Sequence, residues 1–253
     1  MRNEIRKYTS VFSLCARASL FNIILLSVLT AVAEGVLFLL RMKNNVFPLF
    51  ANGLNLPVPQ LEKVISESFL PFAFAIGFVV ITLTLTELGC EKNTKSLYTF
   101  QRLSITERGF FYCQSIYNAM AYFIFWSVQV AALYIICLYY TNSVPAEYIG
   151  NQTVFLAFYR SDFLHSVLPM SEISVWIRNI ILIIGLAFSA AEYPFKQRRK
   201  KFGATVFGLG IYAGIFFCTE FGTGINTFFM IIFSLGCMAE AIYCIHSNWN
   251  VEV

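Results

Sequence analysis

Long uninterrupted apolar runs, separated by short polar links, are the dominant pattern along this chain. A helix crosses the ~30 Å hydrocarbon core of a bilayer with about 20 mostly apolar residues. Six stretches meet that length and predict spans at residues 18–40, 69–88, 110–140, 173–191, 203–221 and 225–245. The third is long enough to tilt or to extend beyond the bilayer. The link between the fifth and sixth is very short, which predicts a tight antiparallel pair. Membrane strands would alternate apolar and polar positions over about ten residues. Stretches 180–188 and 228–235 are instead almost continuously apolar. The first stretch exceeds the 7–15 residues of a signal-peptide core. Arg41 and Lys43 follow it rather than a small-residue cleavage site, so it reads as a retained span.

Composition strengthens this picture. Hydrophobic residues make up 58% of the 253 residues and charged residues 13%, with a mean hydropathy of +0.67. A soluble domain carries about 25% charge, so this chain cannot cover a water-facing surface. The expectation is an all-α, polytopic protein forming a single transmembrane domain over residues 1–253. Lys and Arg favour cytoplasmic links. With the N-terminus inside, thirteen of the eighteen basic residues fall on inner segments, with the densest run at 196–201. Arg41, Lys43, Lys63, Arg160 and Arg178 fall outside. Both termini are therefore expected in the cytoplasm, with a bacterial plasma membrane as the favoured setting. The basic run reads as a solvated stop signal at lipid headgroups; nucleic acid is not an expected partner. The seven cysteines show no C-x-x-C and no outer-loop pair, and read as reduced apolar fillers.

Catalytic chemistry has little to build on. Two histidines, His165 and His246, and one aspartate, Asp162, leave few groups for metal sites or proton relays. The metalloprotease, nucleophile-elbow and P-loop motifs are all absent from the sequence. No enzyme activity and no cofactor are expected in this chain.

Two segments carry more information. At the N-terminus, Asn3, Arg6, Ser10, Ser13 and Arg17 recur at spacings of three and four, opposite Ile5, Tyr8, Phe12, Cys15 and Ala16. Residues 1–17 thus read as an amphipathic helix, either lying in the headgroup region or extending span one into the cytoplasm. The link at 89–109 contains Leu97, Tyr98, Phe100, Leu103 and Ile105, which is apolar for a wet loop, with Gln101 and Arg102 among them. Residues 95–103 can form a short helix. Ser104 and Glu107 then match a capping box that starts the helix of span three. A short helix presenting aromatic and basic side chains to the cytoplasm suits a groove on a partner protein, or a surface of its own bundle.

This order of parts resembles the membrane subunit of ABC-2-type (type V exporter-like) ABC transporters. The stretch from Leu97 to Arg108, with Arg102, Leu103, Ser104, Ile105 and Thr106 in sequence, is similar to the segment that follows the coupling helix in that family. Ser104 stands where the family frequently has proline. The family's longer insertion between spans five and six is here a minimal link. The resemblance implies an elbow helix at 1–17, a coupling helix in the 89–109 loop, and a permease working with a second copy or paralogue. It also implies cytoplasmic ATPase subunits that carry ATP and Mg and touch Leu97, Tyr98, Phe100, Gln101, Arg102, Leu103 and Glu107, together with the basic 196–201 link. An ion-gradient-driven transporter or channel is the alternative reading.

Charge within spans is sparse. Glu34 and Glu240 are the intramembrane acids, and each reads as a pathway group or as a structural hydrogen-bonding group. Glu34 has Arg178 as a possible partner, and Glu240 a base at the cytoplasmic end. Glu87 and Glu192 close spans two and four at the inner surface. The outer loop at 141–172 holds Phe155, Phe158, Tyr159 and Phe163, and either lies on the outer leaflet or caps the bundle. Asn151, Gln152 and Thr153 form a glycosylation sequon that matters only in a eukaryotic secretory route. The 27 phenylalanines fit an apolar cargo or lipid-facing surface.

Overall fold

The computed structural model describes residues 2–47, 60–88, 106–145, 147, 149–150, 152–170, 172–201, 203–218 and 223–247. Apolar runs become helices because lipid offers no partner for a free backbone N–H or C=O. Among the described residues the fold is all-helical, without a strand. The helices are α1 (Arg2–Arg41), continued by a π turn at Met42–Val46, then α2 (Leu61–Glu67), α3 (Leu70–Thr86) and α4 (Glu107–Ser143). They are followed by α5 (Thr153–Arg160), α6 (Asp162–Val167), α7 (Ile173–Arg198), α8 (Ala204–Cys218) and α9 (Thr223–Ser247).

Four of these, α1, α4, α7 and α9, are long and apolar enough to cross a membrane. A fifth span is formed if α2 and α3, which meet at 54°, count as one. The bend falls on Phe69, a non-glycine residue in the left-handed region (φ 59°). Pro71 then sits at the start of α3, where its missing N–H costs nothing. The run expected to span from 203 to 221 is helical over 15 described residues, about 22 Å of helix.

α1, α4, α7 and α9 pack in a row, each against the next, while α3 and α8 pair and lie across that row. The expected tight pairing of the last two helices is not what forms. α8 lies mainly on α3 and α9 mainly on α7; the two meet each other only over a short stretch. A short link ties ends together, whereas small residues decide which faces approach. A Cβ on Gly185 of α7 would come within 2.9 Å of the Ser234 carbonyl of α9. One on Gly77 of α3 would come within 2.5 Å of Thr30 on α1.

The N-terminal amphipathic stretch differs from a separate elbow. α1 runs unbroken through it, and Phe12 and Cys15 on its apolar side face protein. Phe12 meets Tyr117 edge-on at 5.5 Å, and the Cys113 thiol donates to the Tyr8 carbonyl at 3.4 Å. α4 runs parallel beside α1 and supplies the surface that a headgroup layer was expected to supply. α4 starts at Glu107 rather than at Ser104, because Thr106 is its cap and accepts from the Gly109 N–H at 3.2 Å.

The 141–172 loop caps the bundle. α5 and α6 fold over one end, with Phe163, Leu164 and Val167 buried and Trp126 donating to the Val167 carbonyl at 3.1 Å. Beneath them Phe74 touches Phe78, Phe125, Trp126, Phe163 and Phe217, with ring centres 5.1–6.1 Å apart. Part of the phenylalanine content is therefore core, neither cargo surface nor lipid surface.

Candidate functional site

The helices share two ends. At the proximal end Tyr8 of α1 lies beside Gly109 of α4, and Gln114 donates to the Leu88 carbonyl after α3 at 2.9 Å. Phe110 meets Phe195 of α7, and Tyr112 meets His246 of α9. At the distal end Arg41 pairs with Glu67, and the Cys218 thiol donates to the Pro71 carbonyl. The segment containing Leu97, Tyr98, Phe100, Gln101, Arg102 and Leu103 lies outside the described residues. Its anchors, Leu88 and Thr106, are both proximal.

The proximal end is built from charge. Lys196, nearly buried, reaches Glu240 of α9 at 2.5 Å and Glu192, one turn back on α7, at 3.0 Å. The Glu192 contact is an ion pair by distance but lacks the direction of a hydrogen bond. Glu240 is 44% exposed, whereas Glu192 is covered. The same ammonium lies 3.5 Å from the Thr205 hydroxyl at the start of α8. One lysine thus ties three helices together. Next to it Arg199 reaches Glu107 at 3.5 Å, tying the end of α7 to the start of α4. Glu87 is exposed at the end of α3.

α7 ends here in a defined way. The Lys201 N–H donates to the Lys196 carbonyl at 2.9 Å, and the Lys200 N–H to the Gln197 carbonyl at 3.0 Å. Lys200 itself is left-handed (φ 55°). This is a Schellman cap, and it fixes how residues 198–201 leave the bundle. The basic run therefore emerges from a rigid corner rather than from a slack loop.

A polar seam climbs from this end between α1 and α4. The hydroxyls of Ser19 and Tyr117 share a hydrogen bond at 2.6 Å, and Gln129 donates to the Ser27 carbonyl at 3.0 Å. Tyr122 donates to Thr82 on α3, and Asn118 to the Ala187 carbonyl on α7. The side-chain oxygens of Gln114, Asn118 and Gln129 have no partner among the described residues. Glu34 stands farther along α1. It is 0% exposed, and neither carboxyl oxygen has a hydrogen-bond partner among the described residues. Arg178 does not reach it. That guanidinium turns to Asn179 and Ser166 instead.

Sequence reasoning brought out Glu34, Glu240 and Glu107. It expected a base at the cytoplasmic end for Glu240 without naming Lys196, and it passed over Lys196 as the partner of Glu192, because the basic run read as one solvated unit. The i, i+4 spacing of Glu192 and Lys196 was the available signal. The seam on α4 was also missed, although Gln114, Asn118 and Gln129 are amides inside a predicted span. Comparison of the chain with protein-family models, curated proteins and solved structures finds no match.

Proposed function

We propose that this chain is the membrane-spanning permease subunit of an ABC exporter, crossing the membrane six times with both termini in the cytoplasm. It works beside a second permease and cytoplasmic ATPase subunits that bind the 97–103 stretch. One observation carries the reading. The two segments expected to meet an ATPase, the 89–105 link and the basic 196–201 turn, depart from the same end of the bundle. Glu107 and Arg199 clasp them together. A push on the link would reach α4 through Thr106 and α7 through that clasp. Six crossings are supported by α8, which begins where Lys196 meets Thr205 and ends where Arg178 lies over Phe216. The reading requires a P-loop ATPase in a neighbouring reading frame, and the test is co-purification with it. Phe100→Ala combined with Arg102→Glu abolishes the association if the reading holds; intact association rejects it.

Glu34 favours a second reading. A fully buried carboxyl without a partner is costly in a membrane and marks a pathway by default. An ion-gradient-driven transporter would use it. In that case Glu34→Gln removes transport, and no ATPase co-purifies with the unaltered chain. Unchanged transport leaves Glu34 structural.

A further inference from the structure

The distal end holds an open-sided cavity of about 470 Å³ between α2, the α5–α6 cap, α7, α8 and α9. Its lining carries the cations Lys63, Arg160 and Arg178 against the carboxylates of Glu62 and Asp162. Glu62 is already engaged by Arg160 at 3.7 Å. Asp162 is exposed, at the start of α6. One positive charge is left over.

Arg178 is the group that gives the cavity its character. It is only 3% exposed, yet no carboxylate lies within ion-pair distance of it among the described residues. Glu172 acts on it only from farther off. Its Nε and Nη2 donate to the Asn179 amide oxygen at 3.0 and 2.8 Å, and Nη2 also donates to the carbonyl and hydroxyl of Ser166 at 3.1 and 2.9 Å. The guanidinium lies over the Phe216 ring, 4.6 Å from its centre. Among the described residues Nη1 makes no hydrogen bond. The head is thus locked in place with one nitrogen free. On the same wall the buried Nδ1 of His165 has no partner among the described residues. A guanidinium held rigid, shielded on one face by an aromatic ring and with Nη1 open, offers a charge-assisted donor to one oxygen of an oxyanion. Neutral partners hold its orientation and leave its charge for a guest.

We propose that this cavity is a binding site for an oxyanion, the carboxylate or phosphate group of a solute or of a lipid head. The site does not depend on an ATPase partner, so it stands or falls separately from the permease reading. The whole chain in phosphatidylcholine nanodiscs is titrated with inorganic phosphate, with acetate and with dihexanoyl phosphatidic acid, and binding is read by thermophoresis. Saturable binding of at least one probe is expected. Arg178→Lys weakens it at least tenfold, since an ammonium cannot keep the locked fork. Lys63→Gln, a change at an exposed position that folding tolerates, weakens it about threefold through lost charge. Tighter binding of the phosphatidic acid than of phosphate assigns a lipid head, and equal binding of the two assigns a free solute; both support the site. The proposal is overturned if no probe binds saturably, or if both variants bind as the unaltered protein does.

Discussion

Lys196 gives the clearest single-residue consequences, because it answers two acids in different surroundings. Removing one member of a buried ion pair costs ~3–5 kcal/mol, so Lys196→Met should lower the unfolding temperature in detergent sharply by stranding Glu192. Glu240→Gln should cost at most about 1 kcal/mol, since a half-exposed pair contributes little. Equal shifts in the two variants would show that Glu192 is solvated after all. Lys200 makes a converse case. Its left-handed backbone costs a non-glycine residue ~1–2 kcal/mol, and glycine loses part of that advantage through its own chain entropy. Lys200→Gly should therefore stabilise the protein by about 0.5–1 kcal/mol, read as a raised unfolding temperature. At this scale the sequence revealed which acids were unusual. It could not reveal their partners, because Glu240 and Lys196 are 44 positions apart.

Among the elements, glycine contacts separate two kinds of helix face. Gly185→Ala would drive a methyl against the Ser234 carbonyl, a backbone atom that cannot rotate aside. Overpacking of this kind costs ~1–3 kcal/mol, so α7 and α9 should separate at a lower temperature. Gly208→Ala meets nothing within 4 Å. That change should stabilise α8 by about 0.5–1 kcal/mol. If Gly208→Ala instead reduces dimer recovery on cross-linking, that face packs on a second permease. The long helices were legible, since apolar runs of this length have few alternatives in lipid. Helix partners were not: the choice of α3 for α8 rests on faces that hydropathy averages away. The cap of α5 and α6 was also hidden, because short apolar stretches in a loop read alike on a membrane surface and on a bundle.

For the whole molecule, the number of crossings is the decisive quantity. Single cysteines at Lys63, Lys200 and Ile225, placed in a background without the native thiols, would be labelled by an impermeant maleimide on intact cells. Six crossings predict labelling at Lys63 and Ile225 and none at Lys200. Labelling at Lys63 alone would mean that α8 enters and leaves by the same surface. The alternation of basic residues gives an orientation for this labelling to test, and the α8 length made the count difficult. The bend at Phe69 has a consequence at the same scale. α2 is joined to α3 through one backbone setting that most residues avoid, and it is held down by the Arg41–Glu67 and Arg160–Glu62 pairs. Both pairs are half in solvent and weaken as ionic strength rises. Salt should consequently loosen this short segment before any other, exposing its amides to deuterium while the long helices stay protected.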